Sequence, residues 1–131
     1  MLTGVTRLAR RLTTARQTPI HARRLRRTQV EALFVLAHSS RPVTPSVLAA
    51  KLGVTAGAVS QLLDSLRAQD LVATVENPID GRSRVVVLTE AARTEIDAYE
   101  QSVVADLLPM FGALTTNELG KLAELLNRLP E

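Results

Sequence analysis

Residues 45–64 read PSVLAAKLGVTAGAVSQLLD, and the architecture turns on how this stretch is parsed. Thr44-Pro45 starts a helix, with the threonine as N-cap and proline at the first helical position. Gly53 stops it after eight residues, because glycine takes the left-handed conformation that a tight exit requires. Thr55 caps a second helix running to about Gln69, with Val59, Leu62, Leu63 and Leu66 inward. A connection as short as Gly53-Val54-Thr55 lets two helices cross steeply. Ala49 is small where the second helix crosses over, and Val59 and Leu62 fill the wedge between the two. Ala56, Gly57, Ser60, Gln61 and Asp64 are left on the outer face of the second helix.

Downstream, Val72 to Glu76 and Arg84 to Leu88 are strand-like and form a hairpin around NPIDGRS, residues 77–83. A loop that only has to turn needs little more than Asn-Gly. This one also displays Arg82 and Arg84 beside Asp80. Thr89 caps a long helix to about Leu108, broken at Pro109. A last helix opens on the capping box Thr115 to Glu118, with Leu119, Leu122, Leu125, Leu126 and Leu129 as its apolar stripe. Upstream, Thr28 to Glu31 reads as another capping box, opening a helix with Val30, Leu33, Phe34, Leu36 and Ala37 inward and an end near His38. Before it, Leu2 to about Gln17 has helical spacing of Leu2, Val5, Leu8, Ala9, Leu12 and Ala15, and Thr18-Pro19 ends it. Val43 is extended.

The totals narrow the classes. The 131 residues form one domain by length, 46% are apolar and 2% aromatic, so leucine, valine and alanine must build the core. No run of about 18 apolar residues could span a membrane. Absence of cysteine excludes disulfides, thiol sensing and zinc–thiolate sites. His21 and His38 lack a carboxylate pattern that would make a metal site, and no nucleophile–base set or phosphate loop supports an enzyme. No cofactor is expected. The net charge of +3 is uneven: residues 1–41 carry nine arginines against Glu31, and residues 86–131 hold three bases and eight acids. Such polarity suits a chain with one part facing a polyanion, and also a merely solvated basic face. The arginine-rich start has the composition of an organellar transit peptide too, although its helical stripe has a structural use. Arg23, Arg24, Arg26 and Arg27 either contact phosphates or solvate a loop.

Helix, helix, short turn, helix, hairpin is the order of a winged helix-turn-helix. The stretch VTPSVLAAKLGVTAGAVSQLLDSLRAQDLV (43–72) followed by NPIDGRSRVVVLTEAA (77–92) resembles the MarR family of bacterial transcriptional regulators. Asp80-Gly81-Arg82, then Leu88-Thr89-Glu90, matches that family's D-x-R wing. Asp70 and Ala92 stand where the family commonly has glycine; aspartate tolerates a left-handed C-cap. The resemblance implies a mainly α fold with a small β-hairpin wing. Residues 28–90 would be the DNA-binding region, and 1–20 and 91–131 dimerisation helices.

It also implies a cytoplasmic regulator, more often repressor than activator, binding a pseudo-palindrome in double-stranded DNA as a homodimer. Small Ala56 and Gly57 would let the helix enter a major groove, where Ser60 and Gln61 bond bases or phosphates, with Asp64 on the same face. Thr44, Ser46 and Thr55 at the helix starts are further candidates. Arg82 would reach the minor groove, Asp80 would orient it, and Arg84 would support the grip on phosphate. A small-molecule effector is implied as a possibility, its pocket unknown. The alternative is a winged helix that serves as a protein-interaction module without specific DNA binding.

Overall fold

The computed structural model describes residues 2–15 and 25–129. The stop at Thr18-Pro19, His21, Arg23, Arg24 and the side chains of Leu2 and Leu12 lie outside what is described. The described chain is mainly α with one β-hairpin. Helix α1 spans Leu2–Ala15, α2 Arg27–His38, α3 Pro45–Leu52 and α4 Ala56–Ala68. Strands β1 (Val72–Glu76) and β2 (Arg84–Leu88) precede α5 (Glu90–Leu107), a 3-10 turn (Leu108–Phe111) and α6 (Thr116–Leu126).

The local signals around the quoted stretch hold. The Thr44 hydroxyl accepts from the Val47 N–H at 3.3 Å, and that of Thr55 from Ala58 at 3.2 Å. Gly53 is left-handed, φ 64°, ψ 34°. Its N–H bonds the Ala50 carbonyl, and the Val54 N–H bonds Ala49, a Schellman ending. Nothing lies within 4 Å of a Cβ added there, so dihedral preference alone requires the glycine. The two helices bend by 108°. Asp70 repeats the motif at the end of α4 with φ 57°: its N–H bonds the Arg67 carbonyl and the Leu71 N–H that of Leu66. An aspartate therefore serves in the left-handed position, as its short polar side chain allows.

Packing corrects two expectations. Helix α2 does not start from a cap at Thr28. Arg26 is the extended cap residue, and its N–H donates to Gln29 Oε1 at 2.7 Å. Gln29 Nε2 donates to Ser65 Oγ on α4 at 2.8 Å, and Gln29 is buried. One amide thus closes the helix start and ties α2 to α4, while Glu31 is drawn into an i,i+4 pair with Arg27 at 2.8 Å. Second, Leu62 is only half-buried. The wedge is filled by Leu48, Val59, Leu63 and Leu66, all at most 3% exposed.

The hairpin pairs Val72 with Leu88 through to Glu76 with Arg84, antiparallel. Val43 is buried, and its carbonyl accepts from the Val86 N–H at 2.8 Å, adding a rung beside β2. Thr89 fastens the hairpin's exit. Its hydroxyl donates to the Asp70 carbonyl at 2.7 Å and accepts from the Ala92 N–H at 3.1 Å, while its own N–H reaches the Leu71 carbonyl at 3.1 Å. Valine keeps the shape of threonine and removes both hydroxyl bonds. Thr89→Val is therefore expected to cost about 1–2 kcal/mol, read as a lower urea midpoint with unchanged slope. A midpoint equal to wild type would show that the hydroxyl holds neither element.

The chain divides into two compact units. One takes the described residues from 25 to 100, with its core closed by Ala92, Ile96 and Tyr99 of α5. The Phe34 ring meets Tyr99 edge-on at 5.7 Å and stacks on His38 at 6.1 Å, and His38 pairs with Glu100. The other takes α1 and the chain from Gln101. There the Thr115 capping box forms as read: Glu118 Oε2 accepts the Thr115 N–H at 2.8 Å, and the Thr115 hydroxyl accepts the Glu118 N–H at 3.3 Å. The Thr115 N–H and the Thr115 hydroxyl, both donating to Glu118 Oε2 at 2.8 Å, hold the carboxyl below its ordinary pKa. In this unit Leu119 and Leu122 are half-buried, Leu125 and Leu126 are each 49% exposed, and Val5 of α1 is 62% exposed. No single helix among the described residues is long and apolar enough to cross a membrane.

Candidate nucleic-acid interface

The outer face of α4 forms as its periodicity requires. With Val59, Leu63 and Leu66 inward, Ala56, Gly57, Ser60, Gln61 and Asp64 are all exposed. The N-terminal end carries no side chain beyond a methyl group, so an approaching surface can come close to the backbone. The Ser60 hydroxyl donates to the Ala56 carbonyl at 3.1 Å and keeps its acceptor side free for a donor. Asp64 is not a bare carboxylate. Arg67 Nη1 lies 2.8 Å from its Oδ1, and Arg67 Nη2 donates to the Thr74 hydroxyl of β1 at 3.1 Å. Arg67 offsets the acid on this face and links the helix to the wing. The sequence reading missed it; the i,i+3 spacing from Asp64 was the available signal.

Thr44 and Thr55 spend their hydroxyls on the helix starts, Thr44 half-buried and Thr55 exposed, and Ser46 is exposed in the first turn of α3. On the other flank of α4, a groove of about 490 Å³ is lined by Arg26, Gln29, Ala58, Gln61, Leu62 and Ser65, among others. Arg26 of the basic run and Gln61 of the outer face thus share one concavity. Arg27 points its charge at Glu31 instead.

The wing tip is tightly knit. The Asn77 N–H donates to the Ser83 carbonyl at 3.0 Å, Asn77 Nδ2 to Ser83 Oγ at 2.8 Å, and the Ile79 N–H back to Asn77 Oδ1 at 3.0 Å. The Ser83 N–H donates to the Asp80 carbonyl at 3.0 Å. The Asp80 carboxylate accepts from the Arg82 backbone N–H at 3.1 Å. Asp80 therefore shapes the turn on which Arg82 stands, in the way aspartate side chains commonly make turns, and does not grip the guanidinium. Arg82 and Arg84 are exposed, and among the described residues neither guanidinium is paired. Two unpaired cations on a stiff hairpin beside a small, polar helix face make a surface suited to a polyanion with grooves. The described residues hold no cluster of three or more acids, histidines or cysteines that could bind a metal ion.

Comparison with known proteins bears on the fold that carries this surface. Residues 25–83 match the model of the MarR family. No curated protein matches the chain. Among solved structures, a MarR-like transcriptional regulator from Thermotoga maritima aligns over 97% of this chain and 89% of its own, at 21% identity and TM-score 0.72. MarR from E. coli in its apo form aligns over 98% and 93%, at 26% identity and TM-score 0.60. MepR from S. aureus bound to ethidium bromide aligns over 95% and 86%, at 18% identity and TM-score 0.69.

Proposed function

We propose that this chain, whose residues 25–83 match the MarR family model, is a MarR-family transcriptional regulator that binds double-stranded DNA sequence-specifically as a homodimer and controls transcription, as a repressor. The observation that carries this is the exposed Ala56–Gly57–Ser60–Gln61 face standing beside the unpaired Arg82 and Arg84. Helix α4 enters the major groove, with Ser60 and Gln61 bonding base edges or phosphates. Thr44, Ser46 and Thr55, at the helix starts, bond backbone phosphates, and Asp64 keeps Arg67 against the wing. Arg82 enters the minor groove, where an A·T-rich, narrow stretch strengthens attraction for arginine, and Arg84 holds phosphate.

The leucines left half-exposed on α6, with Val5 on α1, are what a second copy covers, residues 1–20 and 91–131 supplying the dimer contacts and 28–90 the DNA contacts. Two recognition helices would then sit ~34–36 Å apart on a pseudo-palindrome. A small molecule releases the DNA; the relative bound to ethidium bromide supports that class of effector.

The test is fluorescence anisotropy of duplexes taken from DNA beside the coding region, titrated at two salt concentrations against unlabelled unrelated DNA. Binding that survives the competitor, with log K falling by ~0.9 per neutralised phosphate against log salt, is the expected result. Binding no tighter than to the competitor would favour a protein-interaction module.

A further inference from the structure

The most exposed large apolar side chain among the described residues is Ile79, at 80%. It sits at the tip of the wing, three residues before Arg82. A scattered surface hydrophobe ordinarily needs no explanation. This one differs in how it is held: the Asn77 side chain fixes its N–H, and the bonds from Asn77 and Ser83 close the loop around it. Isoleucine is also stiff at χ1, so little rotamer freedom remains to be lost on contact. Of its neighbours in the loop only Pro78 is apolar, and Asn77, Asp80 and Arg82 are polar or charged, so the apolar surface at the tip is far smaller than the patch that a protein partner covers.

We propose that Ile79 is a minor-groove contact, packed against the sugar walls and floor of the groove beside Arg82, so that the wing discriminates against guanine. The inference rests on the DNA-binding reading above. In the minor groove A·T pairs present only acceptors on a smooth floor, while G·C adds the guanine 2-amino donor. An apolar side chain gives that donor no partner and meets it sterically, whereas it packs on the A·T floor, as apolar wedges do in architectural proteins. Arg82 supplies the charge and Ile79 the shape. The two contributions separate by salt, because apolar contact releases no counterions.

The experiment uses the full chain with poly(dA-dT), poly(dI-dC) and poly(dG-dC), so that no operator is needed. Inosine presents guanine's major-groove edge without the 2-amino group. Wild type is expected to bind the first two polymers about fivefold or more tighter than the third. Ile79→Ser is expected to lose most of that preference with an unchanged salt slope, because so exposed a residue carries no folding role. Arg82→Ala is expected to weaken binding to all three, lower the salt slope by about 1 and lose only the part of the preference that narrow-groove attraction for arginine supplies, still binding poly(dI-dC) tighter than poly(dG-dC). Retained preference in Ile79→Ser, or wild-type binding to poly(dI-dC) no tighter than to poly(dG-dC), overturns the proposal and leaves DNA binding itself intact. Binding to none of the polymers removes both readings.

Discussion

Gly57→Glu is expected to leave the fold as stable as wild type or more so, and to weaken DNA binding by at least about a hundredfold, or ~2.7 kcal/mol. The two effects separate because of where Gly57 lies. A Cβ built there meets nothing within 4 Å, and the residue is the second of α4. Any residue other than glycine loses less backbone entropy in a helix, about 0.5–1 kcal/mol, and a carboxylate in the first turn is favoured by the helix dipole by about 0.3–1 kcal/mol. On the outer face the same side chain fills space that a groove wall must occupy and opposes phosphate with like charge. Anisotropy against a bound duplex, paired with a thermal melt, reads both. Wild-type affinity in this variant would mean that the N-terminal end of α4 faces away from DNA.

Leu66→Ala acts on the scaffold instead. Leu66 is fully buried, and its carbonyl receives the Leu71 N–H that ends α4. Truncation is expected to lower the unfolding free energy by about 3–4 kcal/mol, within the range for a buried leucine whose surroundings collapse only partly. Against a typical total of ~5–15 kcal/mol, such a loss brings the domain close to unfolding. Leu62→Ala, by contrast, removes a half-buried side chain and should cost roughly 1 kcal/mol. Urea titration of both variants checks the assignment of the wedge. Equal losses, or a larger loss at Leu62, would place Leu62 in the core where the sequence reading first put it.

That pair of leucines marks the boundary of what the sequence shows. Both belong to the same apolar stripe, and a 3.6-residue period brings each within a turn of the core. Which one fills the wedge depends on the rotation of α4 under α3, which the 108° crossing sets. The Asp64–Arg67–Thr74 chain and the Asp80 bond to the Arg82 backbone have the same origin. Residue types and spacing placed Asp64 and Asp80 near the surface of interest, and side-chain geometry decided what each one touches. The exposure of Ile79 belongs to this group too, since an isoleucine in a turn reads in the sequence as neither core nor contact.

What the sequence by itself determined is what short-range chemistry controls. Thr44, Gly53, Thr55 and Thr115 fix helix ends through bonds spanning at most five residues, and the hairpin strands follow from β-branched runs bounded by turn residues. The MarR-like order of elements follows from those ends. Tertiary structure alone decided the start of α2, because Thr28 and Arg26 compete as caps and the winner is set by Gln29 reaching Ser65, 36 residues away. It also decided the rung between Val43 and Val86 and the double use of the Thr89 hydroxyl. In each case the deciding partner is distant in sequence, and a buried polar group takes whichever partner packing brings within reach, since leaving it unpaired costs about 1–3 kcal/mol.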